Sequence, residues 1–282
     1  MSALPVAPTQ RWRGYDGRPM PLLRRTLLLA PLALPGRTAW AQAGASLTVA
    51  AASDLRFALD ELLQGFRAAW PGARVDVVYG SSGKLATQIR QGAPFDIFFS
   101  ADRVYAQDLQ AAGLSAGAPR LYAIGRLALW STDAALGRLG LDEVVRHPAV
   151  QRFAIANPEH APYGQRAMEA LRSRGLIEAV TPKLVLGDNV SQAAQFVQTG
   201  AAQAGIVAHS LVLSPALAGR GAFTLLPQAW HTPLEQAFVV TRRAASSPLA
   251  AAFVQALDTP AARALLLRHG FSVPAPGAAS PP

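Results

Sequence analysis

The 282-residue chain contains no cysteine. Disulfide scaffolds, thiolate metal sites and cysteine nucleophiles are therefore excluded. Charge is sparse as well: Asp, Glu, Lys and Arg make up 15% of the residues, against 51% hydrophobic. A disordered chain needs the opposite balance. No apolar run approaches the ~20 residues of a membrane span. The longest lies near the N-terminus and is broken by Pro31 and Pro35. Common catalytic signatures are missing too. Gly80-Ser81-Ser82-Gly83 misplaces the second glycine of a hydrolase elbow. Val78 and Leu85 break the phosphate-loop pattern around Gly83-Lys84, and no dinucleotide fingerprint Gly-x-Gly-x-x-Gly occurs. The five histidines (His147, His160, His209, His231, His269) form no helical pair and no cluster, so they read as surface or internally satisfied polar groups, not metal ligands. Asp96 and Asp102 flank one strand, and acids at strand ends usually cap the next turn or helix.

The positive charge has a local origin. A formal net charge of +9 suggests nucleic acid or an acidic surface as partner. Residues 22–43, however, combine Arg24 and Arg25, an apolar stretch over 26–34, and the small-x-small triplets Ala39-Trp40-Ala41 and Ala41-Gln42-Ala43. That is the pattern of a cleaved secretory signal peptide. Residues 1–43 are accordingly read as an N-terminal extension and signal peptide. Cleavage after Ala43 removes six Arg and one Asp, which leaves 20 basic and 16 acidic residues, a net of +4. No run of five or more Lys/Arg remains, so no nucleic-acid partner is expected.

Beyond the leader, periodicity predicts strands over 46–52, 74–79 and 96–99, with helices over 55–70, 84–90 and 104–112 between and after them. Alternation of this kind predicts an α/β fold with parallel strands. A long apolar run over 121–130 follows, and the alternation restarts: strands over 153–156, 183–186 and 204–207, helices over 165–174 and 192–199. A long strand over 235–241 precedes two C-terminal helices. The pattern divides the chain into lobe one (46–124 plus 236–273) and lobe two (125–235), with a tail (274–282) expected to lack structure. A cleft between such lobes is a usual ligand site.

Four segments place small or polar residues where a helix opens after a strand: Ala52-Ser53-Asp54-Leu55, Gly80-Ser81-Ser82-Gly83-Lys84, Asn157 through Gly164, and Gly187-Asp188-Asn189-Val190-Ser191. Each, taken singly, reads as an N-cap. Together they divide two and two between the lobes, at the sheet edge where open α/β sheets bind ligands. The first N–H groups of a helix lack intrahelical acceptors, and the dipole is positive there. Hydroxyls and amides so arranged suit a tetrahedral oxyanion, with Lys84 read as an exposed helix lysine.

These segments, with GAPFDIFFSAD (92–102), YAIGRLALW (122–130), AGIVA (204–208) and HGF (269–271), resemble the periplasmic molybdate-binding proteins of bacterial ABC importers. The resemblance spans about residues 46–273. It implies the two-lobed type II periplasmic binding fold, each lobe a mostly parallel sheet flanked by helices, joined by two crossover strands, with the ligand in the interlobe cleft. It implies a non-enzymatic monomer with no cofactor and no direct cation site. Such a receptor binds molybdate or tungstate as the oxyanion and docks on the transmembrane subunits of an ABC permease. Carried over by motif, the ligand-binding residues are Ser53, Ser81 and Ser82 through hydroxyls, and Tyr163 and Val190 through backbone N–H groups. A ligand tyrosine of one branch is replaced here by Ala208. An Asn found in another branch is replaced by Asp54, whose carboxylate is expected to turn away from the site or to engage its helix through the backbone. Rival readings are a receptor for sulfate or a phosphonate, a serine-dependent enzyme on the same fold, and a transcription-factor effector domain.

Overall fold

The computed structural model describes residues 46–274. The expected leader over 1–43 and residues 275–282 of the expected tail lie outside this range. Two five-stranded sheets organise the described residues. The first contains β1 (Ser46–Ala52), β2 (Arg74–Gly80), β3 (Ile97–Ser100), β4 (Arg120–Gly125) and β10 (Leu234–Val240), in the order β2-β1-β3-β10-β4. The second contains β5 (Leu127–Ser131), β6 (Phe153–Ala156), β7 (Leu184–Gly187), β8 (Ala204–Ala208) and β9 (Ala222–Leu225), in the order β7-β6-β8-β5-β9. In each sheet two strand pairs run parallel and two antiparallel, so both are mixed sheets with a parallel half.

The helices are α1 (Arg56–Ala69), α2 (Ser82–Arg90), α3 (Arg103–Ala111), α4 (Ala134–Gly137), α5 (Leu141–Arg146), α6 (Pro162–Ser173), α7 (Ile177–Val180), α8 (Val190–Gln198), α9 (His209–Val212), α10 (Pro248–Leu257) and α11 (Pro260–Arg268). No helix among the described residues is long and apolar enough to cross a membrane. The apolar run 121–130 is divided: β4 ends at Gly125 in the first sheet, and β5 begins at Leu127 in the second. The chain returns to the first sheet between β9 and β10.

Strand alternation sorts the core of lobe one into two faces. Leu47, Val49 and Ala51 of β1 pack on one face with Phe99, Phe238 and Phe253, while Ala50 packs on the other with Leu85, Phe98 and Leu109. The Phe99 ring stands edge-on to Tyr122 with centroids 5.4 Å apart. Lobe two packs around Trp130, which is 1% exposed and whose indole N–H donates to the Arg220 carbonyl at 2.9 Å. Full burial of such a side chain contributes about 1.5–3 kcal/mol, enough to fix the strand faces.

Register sets the site. Ala52 lies level with Gly80, and Ala51 with Phe99, so β1, β2 and β3 end at one edge. In lobe two, Ala156 lies level with Gly187, so the loops after β6 and β7 also leave together. The two edges face each other across the cleft.

Candidate functional site

The four segments converge. Ser53 and Asp54 open a short 3-10 turn (Ser53–Leu55), Ser81 and Ser82 stand at the cap and first residue of α2, Tyr163 is the second residue of α6, and Val190 is the first of α8. All six line one small space between the lobes. It is far smaller than the roughly 300–1,000 Å³ of pockets for drug-sized ligands, which leaves room for none but a compact ligand. All six residues are buried, Ser82 completely.

None of the three serines caps a helix through its side chain. Asp102, Asp133, Ser247 and Thr259 do so elsewhere in the molecule, and Asn189 does so at α8. The site serines bond outward instead. Ser82 Oγ accepts from the Ala101 N–H at 2.9 Å, and Ser53 Oγ accepts from the Ser191 N–H at 3.3 Å. A hydroxyl whose oxygen already accepts keeps its hydrogen to donate. Ser81 Oγ lies 2.9 Å from His160 Nδ1 across the cleft.

Lobe two contributes backbone. Pro162, first in α6, has no N–H. The Gly164 and Gln165 N–H groups both donate to the Ala161 carbonyl. Tyr163 N is left, and it has no acceptor among the described residues. In α8 the Ser191 N–H goes to Ser53 and the Gln192 N–H to Asn189 Oδ1, at 3.1 Å. Val190 N is left in the same way. Two hydroxyl hydrogens and two amide hydrogens thus meet one small space, at helix starts where the dipole favours an anion.

The match of known sequences runs parallel to this geometry. Residues 47–272 match the bacterial extracellular solute-binding protein family. The chain belongs to that family. It is 36% identical to the molybdate-binding protein of Rhodobacter capsulatus over 201 residues, 71% of this chain and 78% of that protein. It is 33% identical to the molybdate-binding protein of Azotobacter vinelandii over 242 residues, 84% of this chain and 94% of the relative. The solved periplasmic molybdate-binding protein of Azotobacter vinelandii superposes with a TM-score of 0.75 at 31% identity, covering 81% of this chain and all of that one.

As a member of the solute-binding family, the chain holds its two lobes together by polar contacts around the site. The Gly83 N–H donates to the His160 carbonyl at 2.9 Å, an approach that a Cβ on Gly83 would block at 2.7 Å from the same oxygen. Ser191 Oγ donates to the Ser53 carbonyl (3.0 Å) and Ser210 Oγ to the Asp54 carbonyl (2.8 Å). Arg166 of α6 pairs with Asp102, which also caps α3 as the sequence predicts. Asp96 instead accepts from the Thr48 N–H and pairs with Arg243, well away from the cleft. Lys84 sits at the rim and pairs with Asp188 of lobe two at 2.7 Å, and both side chains are exposed. No Lys or Arg side chain lines this space.

Asp54 meets only half of the expectation. The backbone at its helix start, at Asp54 and Leu55, does act on its carboxyl, but the side chain does not turn away: the residue is 1% exposed and lines the same space. Oδ2 accepts from the Tyr163 phenol at 3.0 Å and from Gln236 Nε2 at 2.6 Å, and Gln236 Oε1 accepts from Tyr122 at 2.7 Å. Oδ1 is buried with no hydrogen-bond partner. Burial pushes the Asp54 carboxyl up to about 6, against the opposing pull of Gln236, Tyr163 and the nearby Asp54 and Leu55 backbone. Burial, with Asp54 close by, holds the Tyr163 phenol neutral, well above its ordinary range. Sequence reasoning places Ser191 in the fourth segment without a role, and misses Gln236 and Ser210. A glutamine inside the apolar strand Leu234–Val240 is the one available signal for the first; Ser210 gives none.

Proposed function

We propose that this protein is a periplasmic receptor that binds molybdate, and its heavier homologue of nearly equal size, tungstate, and delivers the oxyanion to the transmembrane subunits of an ABC permease. It acts as a monomer, uses no cofactor and performs no chemistry on its ligand. The observation that carries this reading is the convergence of four unengaged donors, from Ser53, Ser82, Tyr163 and Val190, on one small buried space without a basic side chain. Such a set of four suits a fully ionised tetrahedral dianion, because each of the four donates; the one acceptor that borders the same space is the Asp54 carboxyl. Selectivity over sulfate, an anion of the same shape and charge, is then a matter of size.

The serine-enzyme reading has less support. Ser81 and His160 form the serine–imidazole pair near the site, but no group among the described residues holds the other ring nitrogen, as an activated nucleophile requires. A receptor for a phosphonate draws some support from a wider polar groove that Ser53 and Asn189 also border, lined by Arg56, Tyr79 and Gln195 among others, where an organic arm would fit. Thermal unfolding with molybdate, tungstate, sulfate, phosphate and methylphosphonate separates these readings. Molybdate and tungstate at 100 times Kd should each stabilise the protein by about 2.7 kcal/mol. An equal response to sulfate would refute size selection, and a response to methylphosphonate alone would favour the organic ligand.

A further inference from the structure

The buried carboxyl of Asp54 is an anomaly in a site built to receive a dianion. Buried polar atoms nearly always have partners, and an exception calls for a reason. Here one oxygen is held from two sides, by the Tyr163 phenol of lobe two and the Gln236 amide of the strand that re-enters lobe one, while Oδ1 has no partner. Gln236 is itself fixed by Tyr122, so the carboxyl cannot easily rotate away. The crowding is tight enough that a Cβ on Gly125 would strike both the Tyr163 hydroxyl and the Gln236 amide.

We propose that anion binding in this protein takes up one proton at Asp54, whose Oδ1 then donates a hydrogen bond to an oxygen of the bound dianion. The inference rests on the oxyanion-receptor reading above. An ionised carboxylate beside a dianion in a site without a cation is repelled by it. The neutral acid turns the same group into a fifth donor and gives the orphaned oxygen its partner. The proton comes from solvent, so free anion, proton and protein combine in one equilibrium. The Asp54 carboxyl is already pushed up to about 6 in the free protein, so the cost of protonation near neutral pH is small.

The groups around Asp54 leave this assignment clear. From α6 comes Tyr163 and from β4 Tyr122, both held neutral by burial. From β10 comes Gln236, which does not titrate. From α9 comes Ser210, next to His209, whose ring bonds the Gly270 carbonyl and is held below its usual range by burial. His160, on the loop before α6, is likewise lowered by burial. Lys84 and Asp188 neutralise each other at the rim, and Arg56 lies on the exposed side of α1. Burial holds both histidines below their usual range, toward the neutral form, and neither bonds the Asp54 carboxyl, which leaves Asp54 as the group to which we assign the proton.

Calorimetric titration of the purified protein with molybdate from pH 6.5 to 8.5, in two buffers of different protonation enthalpy, tests this. About one proton should be taken up per anion at pH 8, and Kd should rise close to tenfold per pH unit. Asp54→Asn, neutral at every pH and still a donor, should bind without proton uptake and with a flat Kd, at least tenfold tighter than the native protein at pH 8. A native protein with flat affinity and no proton uptake overturns the proposal without needing the variant. So does an Asp54→Asn protein that keeps the native slope. Preference for hydrogen phosphate, lost in Asp54→Asn, would also overturn it, because Asp54 would then be an ionised acceptor. Absence of molybdate binding in both proteins at every pH would instead remove the receptor reading on which the proposal stands.

Discussion

The two lobes meet the same small space with different chemistry. Lobe one brings serine side chains on a 3-10 turn and on α2, and lobe two brings bare backbone N–H groups from the first turns of α6 and α8. The difference arises from what else each helix start must satisfy. In lobe two the first-turn donors are progressively engaged: Pro162 has none, Ala161 takes two, and Asn189 and Ser53 take one each. What remains is one N–H per helix. In lobe one the serine oxygens serve as acceptors for Ala101 and Ser191, which orients their hydrogens toward the remaining space. Lobe one is therefore open to test by side-chain truncation, whereas lobe two requires removal of a backbone hydrogen.

The largest expected effect is in lobe one. Hydrogen bonds to a charged group are worth ~1.5–3 kcal/mol, so Ser53→Ala and Ser82→Ala should each weaken molybdate binding by roughly 10- to 150-fold. The two should differ in the unliganded protein. Ser82→Ala leaves the buried Ala101 N–H without its acceptor and should destabilise by about 1–3 kcal/mol. Ser53→Ala loses only a long contact to Ser191 and should melt almost like the native protein. Calorimetry paired with apo melting curves checks both. Unchanged affinity in both variants would remove lobe one from the site.

Next in size is the lobe-two counterpart. Val190 is the first residue of α8, a position that proline tolerates because its N–H has no helical acceptor. Asn189 before it is extended (φ −153°, ψ 173°), as a residue preceding proline prefers. Val190→Pro should thus delete one anion donor while keeping the helix, and weaken binding by about tenfold, the lower end for a charged hydrogen bond. Val190→Ala should bind like the native protein. Equal loss in both would show that the valine side chain matters, not its N–H.

Much of this arrangement is legible in the sequence, and the limits have physical causes. The strands over 46–52 and 153–156 fall where alternation and apolar runs place them, because parallel strands buried on both faces leave an unmistakable signal. The helix starts do not. Periodicity begins α2 at Lys84, α6 at Gln165 and α8 at Gln192, but they begin at Ser82, Pro162 and Val190. The missing turn is the one that faces the anion space. Its residues face the space between the lobes, so they do not follow the 3.6-residue stripe. Asp54 was misjudged for a related reason: its partners lie 109 and 182 residues away, and no local pattern can place Gln236 or Tyr163 beside it.

Asp54 also yields a stability prediction that involves no ligand. Its carboxyl is raised from 3.8 to about 6 in the folded protein, so the ionised form is penalised. With a raised folded value, stability is fully present below about pH 4 and is lost as pH rises through 6. At pH 8 the whole penalty applies, on the order of 3 kcal/mol at 1.36 kcal/mol per unit. Asp54→Asn should therefore raise the apo melting temperature at pH 8, and its advantage over the native protein should shrink as pH falls toward 4. A variant less stable than the native protein at pH 8 would mean that Asn cannot replace the carboxyl between Tyr163 and Gln236.

The smallest effect is expected at Lys84, a cation at the rim of the site, and it sets the boundary of the neutral-donor argument. The ammonium lies at the rim, half exposed, and faces Asp188 of the other lobe at 2.7 Å. Solvent screens such a pair, and exposed ion pairs contribute about 0–1 kcal/mol. Its charge is also matched by Asp188, so little net field reaches the buried space. Lys84→Ala should weaken molybdate binding by less than about fivefold, the equivalent of 1 kcal/mol. Asp188→Ala provides the opposite arm. It frees Lys84 while removing a negative charge from the mouth, and should leave affinity equal or slightly higher. Both shifts should fade in high salt, where the Debye length falls to about 3 Å at 1 M. A hundredfold loss in Lys84→Ala that persists at high salt would place the ammonium on the anion itself, and the division of labour between hydroxyls in one lobe and N–H groups in the other would then be incomplete.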